Sequence, residues 1–250
     1  MDFSGCDLSW LTTYDRKAGI KRVAEKLCVT EEEAGIQIRE VEKNLVLVQD
    51  DEGKKRLKNA FNTSHVNLMG RLYRRQQHPT CCGVASLAIG LDVLQQKNTL
   101  KDKVAFTMES DIFNMVKVLD ENRVKQRGMT LQTLANACEE LFSSRKLRVI
   151  KHKPEMVGAL RQILLEHFSR HDDCVLLCNY SMPIAGQGNW WGGHISPVAA
   201  FDKSTDSVLI MDVWKFTDPF WIDLETLHNA TVLSIDPDSN DSRGFVQIIS

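Results

Sequence analysis

The chain has 250 residues, 43% of them hydrophobic, and a formal charge of −2 with acidic and basic residues interleaved. That supplies enough apolar material for a buried core and excludes the electrostatic footprint of a nucleic-acid binder or a polybasic membrane face. Seven cysteines, at 6, 28, 81, 82, 138, 174 and 178, are odd in number and lack the dense spacing of a disulfide framework. No run approaches the roughly 20 apolar residues of a membrane helix, and the start "MDFSGCDLSW" lacks the basic and apolar regions of a signal peptide. A cytoplasmic, reducing setting is therefore expected.

In chain order, residues 16 to 48 read as two helices. Ile20, Val23, Ala24 and Leu27 share one face, and Thr30 with Glu33 forms a capping-box signature before Ala34, Ile38, Val41, Leu45 and Val48. The second helix is acidic where a DNA reader would need Lys and Arg, so packing or docking of a protein partner fits this pair better than DNA recognition. Residues 1–48 are read as an N-terminal helical extension, "QDDEGKKR" at 49 to 56 as a polar seam, and 49–250 as the main domain.

Further helices are expected over 82 to 96, after Ser110 (with Ile112, Met115, Val116 and Leu119 inward), after Thr130 through Leu141, and from Pro154 through Phe168. Beyond Asp173 the character turns to β, with "CVLLCNYS", "HISPVAAF", "SVLIMDV" and "GFVQIIS" separated by turn material. Helices first and antiparallel strands later give an α+β fold.

Chemistry concentrates at "QQHPTCCGVASL". A helix N-terminus lowers the pKa of a thiol placed there, and Pro79 stops a helix from running in from upstream. Cys82 falls in the first turn and Cys81 near the cap, which favours Cys82 only slightly. Gly83 would let a substrate backbone approach closely. A thiol nucleophile needs a base and an orienting group. His194 follows Gly192 and Gly193 at the start of one strand and Asp212 ends the next, so a hairpin at "DKSTDS" would bring them within a rung or two. A one-residue slip would turn Asp212 to the wrong face. The other six histidines, at 65, 78, 152, 167, 171 and 228, read as surface residues, and Cys138, Cys174 and Cys178 as core. The N–H of Cys82 and the side-chain amide of Gln76 are candidate oxyanion donors. Zinc is disfavoured, because adjacent cysteines rarely share an ion and no CxxC pair is present.

The succession "DEGKKRLKNAF", "QQHPTCCGVASL", "GMTLQTLANAC", "GGHISPVAAFD" and "VLIMDVWKFTDPFWIDLETL" resembles the phytochelatin synthase family, papain-like cysteine enzymes that act on glutathione. The resemblance implies a papain-like fold with Cys82 as nucleophile, His194 as base, Asp212 as its partner and Gln76 at the oxyanion. It also implies cleavage of the Cys-Gly bond of glutathione through a γ-glutamylcysteinyl thioester, passed to another glutathione or to water. No cofactor is implied; cadmium or zinc would arrive as a glutathione thiolate complex, part of the substrate. Gly83, Gly193 and Lys215 are the expected substrate-side positions. Lys215 stands where the family commonly has Arg, keeping the charge and losing a bidentate grip. Trp190 and Trp191 crowd the loop before His194. Two other readings remain open: a cysteine peptidase for another peptide or protein, and a non-enzymatic interaction or metal-buffering protein.

Overall fold

The apolar runs at 174 to 181 and 193 to 202 are buried along nearly their whole length, the signature of strands covered on both faces. In the computed structural model, which describes residues 16–60, 63–96, 106–142, 147–170, 174–188, 192–215 and 217–250, they form β3 (Cys174–Ser181) and β4 (Gly193–Asp202) at the centre of a seven-stranded antiparallel sheet. Its other strands are β1 (Val46–Leu47), β2 (Arg148–His152), β5 (Ser207–Ile210), β6 (Phe220–Asp223) and β9 (Gly244–Ile249), in the order β1-β6-β5-β4-β3-β9-β2; β7 (Ile235–Asp236) and β8 (Asp241–Ser242) form a separate hairpin.

Helices cover both faces. One core holds apolar residues of α3 (Asp51–Asn59), α4 (Thr63–Leu72), α5 (Cys82–Gln96), α6 (Glu109–Met115), α7 (Glu121–Arg127) and α8 (Leu131–Phe142). The other holds residues of α1 (Arg16–Leu27), α2 (Glu31–Asn44), α9 (Val157–Ser169) and α10 (Leu224–Thr231). Helix α5 is buried on every side from Cys82 to Leu94, so a truncation such as Leu87→Ala would cost about 2–5 kcal/mol. No helix among the described residues is long and apolar enough to cross a membrane.

Several local expectations hold. Thr30 and Glu33 make the reciprocal capping bonds, the Thr130 hydroxyl accepts from Thr133 N–H at 3.1 Å, and α5 spans the predicted 82 to 96. Others need correction. The seam at 49 to 56 is instead largely helix α3, packed so closely on β1 that a Cβ on Gly53 would lie 2.0 Å from the Leu47 carbonyl oxygen. β1 itself belongs to the main sheet, and apolar residues of α1 and α2 share a core with that sheet. Ser110 lies inside α6 rather than capping it, because the helix starts one residue earlier, and Met115 is exposed. Pro154 precedes the N-cap Met156 of α9, and its carbonyl accepts from His228.

His65, His167 and His228 are buried, because their helices press them against the sheet and its flanks; His171, Trp190 and Trp191 lie outside the described residues. Cys138, Cys174 and Cys178 are core residues, as expected.

Candidate active site

The register of β4 on β5 decides which side chains meet. Phe201 pairs with Val208 and Ala200 with Leu209, but Val198 then pairs with Ile210, so β4 carries one extra residue at Ala199. Such a bulge switches the alternation along its strand. Val198 and Phe201 both face one core, Ala199 and Ala200 the other. Continuing the first register would set Asp212 opposite Pro197. The bulged register, kept by Met211 N–H on Pro197 O at 2.9 Å, sets it opposite Ser196 and on the face of His194.

His194 Nε2 bonds Asp212 Oδ1 at 2.8 Å, and both residues are almost wholly buried. The ring's remaining nitrogen, Nδ1, is left for the Cys82 thiol, which hydrogen-bonds the imidazole. Cys82 is the first residue of α5, where the N–H groups have no partner within the helix. Burial pushes its thiol up, yet the charge and hydrogen bond of His194, joined by the N–H groups of Ile195 and Gly83, bring it below the ordinary thiol value. Burial disfavours the imidazolium, but Asp212 and Cys82 together raise His194 to about 10. For Asp212 burial is likewise outweighed, by His194, the Thr217 hydroxyl and the Trp214 N–H, and its carboxyl is held below the usual range. The directions of these shifts favour a thiolate–imidazolium pair backed by a carboxylate.

Three residues that the sequence reading passed over complete the carboxylate's shell. Gln187 Nε2 and Thr217 Oγ1 both donate to Asp212 Oδ2, and Trp214 N–H donates to Oδ1 at 2.8 Å. Gly186 (φ 84°) and Gly188 (φ 83°) flank Gln187, and these left-handed turns let its side chain enter the interior. A glutamine between two glycines, "GQG", was the available signal. Tyr180 and Trp214 box the imidazole edge-on, with ring centroids at 5.6 and 5.9 Å.

Cys81, the residue before it, meets Glu109 rather than His194. It is fully buried, and burial, Glu109 and Cys82 push its thiol up to about 12. Gln76 lies buried on the incoming segment, with its N–H on Val213 O at 2.8 Å. Its side-chain amide donates to His78 O at 2.9 Å and Pro79 O at 2.8 Å, closing the turn that delivers Cys82.

A cavity of about 200 Å³ opens beside Cys82 and His194, walled by Asn179, Gly193, Asp236 and Arg243 among others. Gly193 stands there because a Cβ would collide with the Arg243 guanidinium at 2.1 Å. Arg243 Nη1 donates to Asn179 Oδ1 at 2.8 Å, while Arg243 Nε and Asn179 Nδ2 are buried donors with no partner among the described residues. Gly83 does not line the cavity; the space its Cβ would take is filled by Met129 Sδ at 2.7 Å. Lys215 is also off the wall, its ammonium on Gln77 O at 2.9 Å.

The chain matches the phytochelatin synthase family over residues 36–245. It belongs to that family. Among curated relatives it is 25% identical to glutathione gamma-glutamylcysteinyltransferase 1 of Arabidopsis thaliana over 178 residues, covering 70% of this chain and 35% of the relative. Glutathione gamma-glutamylcysteinyltransferase 2 of the same plant is 26% identical over 70% of this chain and 38% of its own length. The Lotus japonicus enzyme 1 is 26% identical over 70% and 34%. The matched part of this phytochelatin synthase family member thus spans little more than a third of each of these relatives.

Proposed function

We propose that the protein is a cysteine-dependent γ-glutamylcysteinyl transferase or hydrolase acting on glutathione, with a papain-like arrangement of nucleophile helix against antiparallel sheet. The single observation that carries this reading is the buried Cys82–His194–Asp212 line beside a cavity whose wall holds donors without partners among the described residues. Family membership and the names of the relatives support the choice of substrate.

The residues divide the work. The Cys82 thiolate attacks the carbonyl carbon of the Cys-Gly bond, and the developing oxyanion is received by the Cys82 N–H and by Gln76, which gives up its bond to Pro79 O to do so. The C–N bond breaks as His194 passes its proton to the leaving glycine amine, leaving a γ-glutamylcysteinyl thioester. His194 then takes a proton from the attacking amine of a second glutathione, or from water, and the thiolate is regenerated. Asp212 keeps Nε2–H donated to itself, so Nδ1 stays aimed at sulfur.

Specificity follows from the cavity wall. Arg243 and Asn179 offer donors and Asp236 and Asp238 offer carboxylates, which together fit a zwitterionic amino-acid end such as the one that terminates a γ-glutamyl group. Cadmium or zinc enters this scheme only as part of a glutathione thiolate substrate.

The test is incubation of the protein with glutathione, with and without cadmium or zinc, following glycine, γ-glutamylcysteine and longer polymers. Glycine release is expected. Polymer alongside it identifies transfer, and γ-glutamylcysteine without polymer identifies hydrolysis. Absence of glycine under every condition overturns the reading.

A further inference from the structure

Glu109 lies away from the cavity, yet its carboxylate is buried and gathers donors from the segment that leads into the nucleophile. Oε1 accepts the Gln77 N–H at 2.6 Å, and the His78 N–H and the Cys81 thiol also hydrogen-bond this carboxylate. On the far side of the same residue, Lys215 Nζ donates to Gln77 O at 2.9 Å. Gln77 is therefore gripped at its N–H by a carboxylate and at its C=O by an ammonium.

The grip is referenced to the nucleophile's own helix. Asp92, one of the buried residues of α5, accepts from Thr107 N–H at 3.1 Å and pairs with Arg74 at 2.9 Å; Arg74 in turn donates to Thr107 O at 2.6 Å. Two residues on from Thr107 stands Glu109. A closed circuit runs from α5 through Asp92, Thr107 and Glu109 to Gln77, and back through the turn to Cys82.

We propose that Glu109 is a positioning residue which, with Lys215, clamps the Gln77 peptide and so fixes the turn that presents the Gln76 amide and the Cys82 N–H to the oxyanion. The inference rests on the acyl-transfer reading above. Oxyanion donors work because they are fixed before charge develops, and a segment loose at Gln77 would have to be ordered during the reaction instead. Cys81 then has a structural task as a thiol that donates to Glu109. Nothing in the clamp touches the His194 side of Cys82, so the thiolate itself is not its target.

The test compares Glu109→Gln and Lys215→Met with the wild-type chain in glycine release from glutathione, in the pH profile of Cys82 alkylation by iodoacetamide, and in thermal unfolding. Expected for Glu109→Gln is a fall in kcat of about 100-fold, the scale of losing one oxyanion donor, with KM within about twofold and the alkylation midpoint unmoved. Lys215 is only half-buried, and Lys215→Met should show the same signature at about tenfold. A folded Glu109→Gln protein with unchanged kcat overturns the clamp. So does a kcat loss that tracks a shifted alkylation midpoint, which would place the effect on the thiolate. If Glu109→Gln fails to fold, Lys215→Met decides by the same criteria. Wild-type protein that releases no glycine sinks the functional reading, whereas an active wild type with indifferent variants sinks only the clamp.

Discussion

Cys81 and Cys82 are joined by one peptide bond and are both buried, yet their surroundings drive them in opposite directions. Cys82 meets an imidazole whose positive charge is held by Asp212, and its thiol falls below the ordinary value. Cys81 meets the Glu109 carboxylate, and its thiol rises to about 12. Burial raises both; the sign of the neighbouring charge separates them. A reactive cysteine is thus made by its partner more than by its position at a helix start.

The largest break in that contrast comes from the sulfur itself. Cys82→Ala should lower glycine release by about 10⁴-fold or more, while Cys81→Ala, which removes one donor to the Glu109 carboxylate, should cost about tenfold, the low end for a hydrogen bond to a charged group. Equal losses would erase the distinction between the two thiols.

Asp212→Asn removes the charge that holds His194 positive and favours the wrong tautomer. A kcat loss of about 10³- to 10⁴-fold is expected, with the alkylation midpoint of Cys82 moving up toward that of a free thiol. An unmoved midpoint would mean that Asp212 does not support the ion pair.

Gln187→Leu leaves the Asp212 carboxylate in place and removes one donor to Oδ2, so about a tenfold loss is expected. Measuring kcat together with the alkylation profile would sharpen the comparison, because this variant keeps the Asp212 charge and should leave the midpoint close to that of the wild type.

The smallest effect is on stability against pH. His194 is raised from 6.5, so its contribution is complete below about 6.5 and declines until pH passes about 10. Cys82 is lowered from 9.0, so its contribution is complete above about 9 and declines as pH falls. Up to about pH 9 the lowered thiol offsets part of the decline from His194, and between about pH 9 and 10 only the loss remains. Thermal unfolding of wild type and Cys82→Ser should therefore differ more below about pH 9 than at about pH 10.5, where His194 is neutral. A difference that grows above pH 9 would contradict the ion pair.

The helix that carries Cys82 was legible because Pro79 forbids continuation upstream and the apolar spacing to Leu94 has helical period. The strands of His194 and Asp212 were equally plain as branched, apolar runs. Four assignments failed for one shared reason. His65, His167 and His228 each adjoin a polar residue in sequence (Ser64, Glu166 and Asn229), and α3 has a strongly charged surface, so their burial follows from what docks on them. Local composition reports the solvent side of an element better than its contact side.

The amino-acid order by itself determined the α+β character and the family, and it singled out Cys82, His194 and Asp212 as the candidates for acyl chemistry. Only the tertiary structure decided that these side chains share a face, because one extra residue at Ala199 inverts the alternation of β4 and no local propensity encodes that inversion. The roles of Gln187, Thr217 and Glu109 are likewise tertiary. Gln187 and Glu109 act on residues distant in sequence and Thr217 acts across a loop of five residues, each through a hydrogen bond whose geometry exists only once the sheet and the helices have closed around the site.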